Sequence, residues 1–94
     1  MLIEIIWSQV ALTCLQQIRA FVALDKPAAA ERLATRIVAA VEVLRVFPHI
    51  GRAGMAPGTR ELVIGRTPYV VVYRVSEKVV TINTIWHGAQ QRKP

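Results

Sequence analysis

The sequence predicts a small α+β domain of the order β-α-α-β-β-β, with a helical hairpin packed on one face of a mainly antiparallel four-stranded sheet. Three observations lead to this prediction. Apolar residues recur every three or four positions in the first half of the chain, they alternate with polar residues after residue 60, and tight turns separate the alternating runs. A chain of 94 residues supports one two-layered core, so residues 1–94 are expected to form a single domain.

The first strand is predicted in the β-branched run LIEII, Leu2 to Ile6. Ser8 then suits the N-cap of a first helix, because its hydroxyl can accept a hydrogen bond from a free amide of the first turn. One apolar stripe follows at helical spacing, formed by Ala11, Leu15, Ile18 and Val22. This stripe predicts a helix with one buried face, which ends at the sequence LDKP.

A second helix is predicted from about Pro27 to Phe47. Pro27 suits the first turn, where its missing amide donor costs nothing, and Pro48 ends the helix. Its apolar stripe consists of Ala30, Leu33, Ile37, Val41 and Leu44. Because the link between the helices is short, we expect an antiparallel hairpin whose two stripes cover the same surface.

A glycine- and proline-rich loop without periodicity, His49 to Thr59, follows the second helix. From Arg60 onward the runs RELVIG, YVVVYRV and VVTINTIWH alternate with a period of two, and the short segments RTP and SEK separate them. Three strands joined in this way form an antiparallel meander. The first strand of the chain is expected to extend it to four strands.

Strict alternation assigns the side chains of the last two strands to two faces of the sheet. The face directed away from the helices is predicted to carry the polar residues Arg74, Thr81, Asn83 and His87. Tyr69 and Tyr73 fall on the apolar face and are predicted to belong to the core. The phase of the Arg60 strand stays open, because strict alternation leaves Glu61 on the polar face unless a bulge intervenes.

Positive charge is concentrated in the second half of the chain. Up to Phe47 there are five basic and four acidic residues, whereas from Pro48 onward there are seven basic and two acidic residues. This distribution predicts an anionic partner, and composition leaves open whether it is nucleic acid, a ribosomal surface or an acidic protein. No apolar run reaches the roughly eighteen residues of a membrane span, so we expect a cytoplasmic protein without a membrane partner.

Several short motifs occur in a characteristic order. A tryptophan and an alanine open the first helix, P..GR follows the second helix, REL begins a strand, and PYVVVYRV and I.WHGA complete the series. In order and spacing these motifs resemble the RelE/ParE superfamily of toxins from type II toxin–antitoxin systems. The resemblance covers nearly the whole chain, and the family has the element order predicted above from periodicity.

The resemblance implies a small bacterial toxin that arrests growth, of a kind associated with plasmid stabilization. A cognate antitoxin, encoded beside it, would neutralise it by wrapping it with a helix and possibly an added strand, in a toxin–antitoxin hetero-oligomer. RelE-like members are ribosome-dependent endoribonucleases that cut mRNA, whereas ParE-like members share the fold and inhibit DNA gyrase. For this chain we expect no cofactor and no metal ion.

Cutting RNA through its own 2′-hydroxyl requires a base, an acid and cations for the phosphorane charge. Arg66 in GRTPY and His87 match two basic positions of RelE-like members, and histidine suits proton transfer near neutral pH. The chain departs from RelE-like members elsewhere. Gly88 replaces an arginine that is common there, the tail AQQRKP contains no tyrosine, and RELVIG lacks the lysines of the RelE strand.

These departures favour a ParE-like gyrase inhibitor, with ribosome-dependent mRNA cleavage as the alternative. In that alternative, His87 and Arg66 are the catalytic residues of a metal-independent nuclease. The residues expected to bind the target or an anion are Arg60, Arg66, Arg74, Asn83 and Arg92. A third interpretation is a basic binding module without toxicity, in which His87 is a solvent-facing residue at the end of a strand.

Overall fold

The computed structural model of the chain describes residues 3–88. The elements are strand β1 (Glu4–Trp7), helix α1 (Gln9–Ala23), helix α2 (Pro27–Glu42), and strands β2 (Arg52–Ala53), β3 (Arg60–Val63), β4 (Tyr69–Ser76) and β5 (Val79–His87). The strands form one sheet in the order β1-β5-β4-β3-β2, in which β1 and β5 are parallel and the other pairs are antiparallel. The predicted α+β class and element order are confirmed.

The sheet has five strands rather than the predicted four. The additional strand, β2, lies inside the loop that was expected to be irregular, where Arg52 and Ala53 pair with Glu61 and Arg60 of β3. Two residues leave no detectable period in the sequence, so this strand exists only because β3 lies beside it. Neither helix within residues 3–88 has the length and apolarity that crossing a membrane requires.

Ser8 joins β1, α1 and β5. As predicted, its Oγ caps α1 by accepting a hydrogen bond from the amide of Ala11 at 3.0 Å. The same hydroxyl donates to the carbonyl oxygen of Asn83 in β5 at 2.8 Å. An N-cap hydroxyl contributes about 1 kcal/mol to stability, and here it also sets where the helix starts against the sheet.

Helix α2 begins at Pro27 as predicted, but it ends earlier than expected. After Glu42 the chain tightens into a 3-10 turn, Val43–Arg45, and it is no longer helical at Phe47. The Arg45 guanidinium donates to the carbonyl oxygen of Ile3 at 2.9 Å, which fastens this end of the hairpin to β1. Arg45 also pairs with Glu42, and this hydrogen bond lowers the pKa of the Glu42 carboxyl.

The core lies between the helical hairpin and one face of the sheet. It is a single cluster of buried residues from both layers: Ala11, Ile37, Val41, Leu44, Ile64, Tyr69, Val71, Tyr73, Val80, Ile82 and Ile85. Tyr69 and Tyr73 belong to it, as their alternation with the valines predicted. Both helical stripes therefore cover the same surface of the sheet.

A β-bulge interrupts the pairing of β4 with β5. Val72 lies opposite Thr84, but the next residue of β4, Tyr73, lies opposite Ile82. Asn83 is therefore one extra residue on β5 with no partner position on β4. Ser8 holds the bulge from the other side, because its hydroxyl binds the carbonyl oxygen of Asn83.

The bulge reverses which residues of β5 face the helices. Ile82 is in the core before the bulge and Ile85 is in the core after it, so the parity of inward residues changes. His87 follows Ile85 on the helix side, where it lines a pocket with residues of α1. Arg74 pairs with Thr81 on the opposite face, as predicted. The prediction that His87 lies on the face directed away from the helices, with Arg74, is wrong, because strict alternation does not allow for the extra residue.

The phase of β3 is regular. Arg60 lies opposite Tyr73 and shares its helix-facing side, whereas Glu61 lies opposite Val72 on the other face. Glu61 is nevertheless only 1% exposed, and its Oε1 pairs with the guanidinium of Arg52 at 3.0 Å. The face directed away from the helices thus buries a carboxylate beside apolar residues.

Candidate functional site

Two residues predicted from the sequence, Arg66 and His87, lie at the end of the sheet where β4 begins and β5 ends. Tyr69, the first residue of β4, is directly opposite His87, the last residue of β5. Their rings make an edge-to-face contact with centroids 5.3 Å apart and an angle of 83° between the planes. Arg66 lies in the turn just before β4. We call residues 65–69 together with His87 and Gly88 the Arg66 end of the sheet.

Hydrogen bonds close the turn that carries Arg66. The amide of Ile64 donates to the carbonyl oxygen of Tyr69 at 3.0 Å. Thr67 Oγ1 donates to the carbonyl oxygen of Ile64 at 2.8 Å and accepts from the amide of Tyr69 at 3.1 Å. The ends of the two strands are thereby held together, and Gly65 and Arg66 form the projecting part of the turn.

Gly88 has a structural reason to be glycine. Its amide donates to the carbonyl oxygen of Pro68 across the end of the sheet. A Cβ at position 88 would lie 2.9 Å from that oxygen, closer than side-chain carbons approach. Glycine at position 88 therefore permits a tight contact that joins β5 to the Arg66 turn.

Arg66 adopts a left-handed backbone conformation, with φ of 64°, and its side chain is exposed. This conformation costs a residue with a Cβ about 1–2 kcal/mol, so a glycine would be the more stable choice. Within residues 3–88 the other non-glycine residue of this kind is Glu77, at φ of 51° in the turn between β4 and β5. An exposed cation kept in a disfavoured conformation is a feature that occurs at functional sites.

His87 lies in a surface pocket of about 420 Å³ between α1 and the end of the sheet. The pocket is lined by Cys14, Gln17, Ile18, Phe21, Tyr69, Ile85 and His87. Phe21 is 71% exposed, so much of the pocket wall that solvent reaches is apolar. Sequence reasoning missed this pocket, because Phe21 lies off the helical stripe and the bulge was not foreseen.

Arg60 contacts the backbone of the loop that follows α2. Its Nη1 donates to the carbonyl oxygens of His49 at 3.1 Å and Gly51 at 2.9 Å. Beside it, the Tyr73 hydroxyl donates to the carbonyl oxygen of Pro48 at 2.8 Å and accepts from the amide of Gly51 at 2.9 Å. Burial raises the pKa of Tyr73, and the Gly51 amide and the Arg60 charge oppose this shift. Arg60 and Tyr73 together fasten the loop to the sheet.

Arg74 lies far from Arg66. It is exposed on the face away from the helices, and its Nη1 donates to the carbonyl oxygen of Pro57 at 3.2 Å. Tyr69, next to the Arg66 turn, is five residues from Arg74 along β4, which corresponds to roughly 17 Å in an extended strand. Arg66 and Arg74 therefore lie toward opposite ends of the strand.

The remaining predicted residues do not join them. Asn83 occupies the bulge in the middle of β5, and Arg92 lies outside the described residues. Within residues 3–88, the structure thus brings Arg66 and His87 to one end of the sheet and leaves Arg60 and Arg74 at the other, on opposite faces. In the same part of the chain, no three His, Cys, Asp or Glu side chains form a group that could hold a metal ion.

A second surface feature is a groove of about 540 Å³ between α1 and α2. Its lining residues are Leu12, Leu15, Gln16, Arg19, Ala34, Thr35, Val38 and Ala39. Leu12 and Val38 are 38% and 39% exposed, so apolar surface of both helices is open to solvent there. Arg19 joins the two helices through hydrogen bonds of 2.9 and 2.6 Å to one carboxylate oxygen of Glu31. We call this feature the hairpin groove.

Known proteins resemble this chain in both sequence and fold. The sequence model of the ParE toxin of the type II toxin–antitoxin system parDE matches residues 5–92. The Sinorhizobium fredii protein Y4kP, which is named as a toxin, is 42% identical over 85 residues, covering 90% of this chain and 88% of that protein. Toxin RelE2 of Caulobacter vibrioides is 37% identical over 87 residues, covering 93% of this chain and 97% of the toxin.

A solved structure agrees with these matches. The chromosomal ParDE toxin–antitoxin system of P. aeruginosa contains a chain that superimposes with a TM-score of 0.81 at 27% identity. The superposition covers 88% of this chain and 92% of that chain. Since the family model spans nearly the whole sequence and the relatives match over most of their length, this chain belongs to the ParE family of toxins from type II toxin–antitoxin systems.

Proposed function

We propose that this toxin arrests growth by inhibiting DNA gyrase. The observation that carries the proposal is the match of residues 5–92 to the ParE family. Within the superfamily, the resemblance to ParE-like toxins implies inhibition of DNA gyrase. The solved ParDE relative supports it at the level of the fold. In this proposal the Arg66 end of the sheet contacts the target protein.

The positions of the basic residues support a protein target over an RNA substrate. A nuclease needs its acid, its base and its cations within hydrogen-bonding reach of one phosphate. Here Arg60 binds two backbone carbonyl oxygens, and Arg74 lies roughly 17 Å along β4 from the Arg66 end. His87 is on the helix side in a largely apolar pocket. This arrangement suits a surface that binds another protein through apolar contacts and a projecting cation.

Ribosome-dependent mRNA cleavage is the second candidate. It is favoured by the relative named RelE2 and by the placement of Arg66 and His87 at one end of the sheet. In that case His87 would transfer a proton and Arg66 would stabilise the phosphorane charge. The two candidates thus share Arg66 and differ in what they require of His87.

A cognate antitoxin is the second partner in the proposal. The hairpin groove suits the apolar face of an amphipathic helix, because Leu12 and Val38 expose apolar surface on its two sides. The net charge of +6 favours an acidic partner. The edge strands β1 and β2 are the places where an added strand could pair with the sheet.

Two matched variants test the target role of Arg66. Arg66→Gly and Glu77→Gly each remove a charged side chain from a left-handed position in a turn, so both relieve the same backbone strain. We expect purified wild-type protein and Glu77→Gly to inhibit supercoiling by gyrase and to accumulate cleavage complexes. Arg66→Gly should require at least about a tenfold higher concentration, as expected for loss of a contact residue at an interface.

Induced expression of the toxin in cells separates the candidate functions. Truncated transcripts with normal supercoiling in induced cells would contradict gyrase inhibition and support mRNA cleavage. Growth arrest that is as strong with His87→Ala as with the wild-type protein would count against the nuclease. If neither gyrase nor mRNA is affected and growth continues, the protein is a basic binding module.

A further inference from the structure

A side chain of α2 reaches across to the Arg66 turn. Arg36 Nη1 donates to the carbonyl oxygen of Gly65 at 3.1 Å, joining residues 29 positions apart in the sequence. Within residues 3–88, no other helix side chain forms a hydrogen bond with residues 65–68. Arg36 therefore links the helical layer to the projecting part of the turn.

The position of this hydrogen bond matters for the backbone of Arg66. The carbonyl of Gly65 and the amide of Arg66 belong to one rigid planar peptide unit. The φ angle of Arg66, 64°, describes rotation about the bond that leads out of this plane. A group that binds the Gly65 oxygen therefore fixes the orientation of this peptide plane, and so restricts rotation toward other φ angles of Arg66.

The turn has few other contacts at this point. A Cβ placed on Gly65 would meet no heavy atom within 4 Å, so no neighbouring group packs against that side. The Thr67 amide donates to the carbonyl oxygen of Ile64 at 3.2 Å and closes the turn across the Gly65–Arg66 peptide. This bond and the others of Ile64, Thr67 and Tyr69 fix the residues on either side of that peptide, but they do not hold its own carbonyl group. Without a further anchor, this peptide could rotate toward conformations that suit arginine better.

We propose that Arg36 is a positioning residue, which holds the Gly65–Arg66 peptide so that the Arg66 side chain meets the target in a fixed orientation. The inference rests on the proposed role of Arg66 at the target. Arg36 does not itself contact the target in this account. Because Arg36 already restricts the turn in the free toxin, the turn loses less conformational freedom when Arg66 binds the target.

The chain offers a matched control. Arg32 lies one helical turn before Arg36, is also exposed, and lines the same shallow surface pocket. Arg36→Ala and Arg32→Ala remove the same charge from neighbouring positions on one helix. They differ in the hydrogen bond to Gly65.

The first measurement concerns the turn alone. We expect Arg36→Ala to change the amide–Hα coupling of Arg66 and to speed hydrogen exchange of the Thr67 amide in NMR spectra, whereas Arg32→Ala leaves both unchanged. The melting temperature should fall by no more than about 5 °C, as expected for loss of one partly exposed hydrogen bond. An unchanged turn in Arg36→Ala would overturn the proposal without reference to any target.

The second measurement is a double-mutant cycle on the concentration of toxin that arrests growth or inhibits the target. Arg36→Ala should weaken the effect about three- to tenfold, the equivalent of one hydrogen bond. In an Arg66→Gly background, Arg36→Ala should cause no further loss. A loss that adds to that of Arg66→Gly would overturn positioning while leaving the target role of Arg66 intact. Full potency of Arg66→Gly would instead overturn that target role, and positioning for it as well.

Discussion

Tyr73 determines how the loop after α2 sits on the sheet. The side chain is fully buried, and its hydroxyl binds Pro48 and Gly51 as donor and acceptor. A Cβ at Gly51 would lie 2.6 Å from the hydroxyl oxygen, so only glycine permits the approach. The motif P..GR, which contributed to the family resemblance, thus has a physical meaning. Its proline carbonyl and its glycine amide are the two partners of the buried tyrosine.

Replacing Tyr73 by phenylalanine should lower the free energy of unfolding by about 1–3 kcal/mol, because the buried amide of Gly51 and the partly buried carbonyl of Pro48 lose their partner. The difference in unfolding free energy between wild type and Tyr73→Phe should depend on pH. Burial raises the pKa of Tyr73 above its ordinary value of 10.0, so the folded state retains the proton more strongly than the unfolded state. The stabilisation is full below that ordinary value and is lost as pH rises through the folded pKa. Denaturation series from pH 7 to the alkaline range on both proteins measure it.

Other groups that titrate in alkali are the same in wild type and Tyr73→Phe, so the difference in stability between the two proteins reports the ionisation of Tyr73 alone. The gap in stability between wild type and variant should be constant in neutral solution and should narrow in alkaline solution. A gap that stays constant throughout would contradict a raised pKa of Tyr73, because equal pKa values in the folded and unfolded states leave the stability difference independent of pH.

At the scale of elements, the bulge in β5 determines which residues at the end of the sheet face the helices. Asn83 is the extra residue, and the faces of the strand exchange as the chain passes it. His87 consequently lies beside Tyr69 and α1, on the helix side, instead of on the same face as Arg74. The pocket at the Arg66 end is therefore a product of one inserted residue in a strand.

Single-residue deletions distinguish the bulge from the regular ladder. Without Asn83, Thr84 would directly follow Ile82 in register with β4, and every other residue would keep its face. We expect this deletion to cost about 1 kcal/mol, largely for the hydrogen bond from Ser8. The ring contact between Tyr69 and His87 should remain visible by NMR.

Deleting Thr81 is the control of equal size. It would move Ile82 opposite Arg74 and place Asn83 opposite the buried Tyr73, so a core isoleucine is lost and an amide is buried. We expect a loss of about 3 kcal/mol or more in the free energy of unfolding, measured with denaturant. Equal losses for the two deletions would contradict the assignment of Asn83 as the extra residue.

At the scale of the whole molecule, the hairpin groove and the Arg66 end are separate surfaces. The groove lies between the two helices, whereas Arg66 lies in the turn before β4. If the toxin binds its target at the Arg66 end and its antitoxin mainly at the hairpin groove, substitutions can weaken target binding and antitoxin binding separately.

Val38→Glu tests this separation. The glutamate would lie in the apolar wall of the groove and would lose its hydration when an antitoxin helix docks. Binding of the cognate antitoxin, measured by titration calorimetry, should weaken at least about tenfold, while growth arrest is retained. Val63→Glu, at a similarly exposed position on the other face of the sheet, should bind normally. Equal weakening by both variants would place the antitoxin elsewhere.

Local patterns in the sequence were sufficient to predict most of the fold. The cap at Ser8, the proline at the start of α2 and the alternating strands depend on residues within a few positions of one another. Each is encoded by near neighbours, because a helix cap or a strand face is satisfied by groups one turn or two residues away. The family resemblance and the meander followed from the same local information.

Tertiary structure alone decided the composition of the candidate site. Whether Asn83 is an extra residue depends on its register against β4, and the link from Arg36 to Gly65 joins positions 29 apart. Such contacts leave no periodicity, because they form only when separate elements are packed together. The sequence by itself therefore determined the order of elements, the core tyrosines and the importance of Arg66 as a candidate. Packing determined that His87 faces the helices and that Arg60 holds a loop.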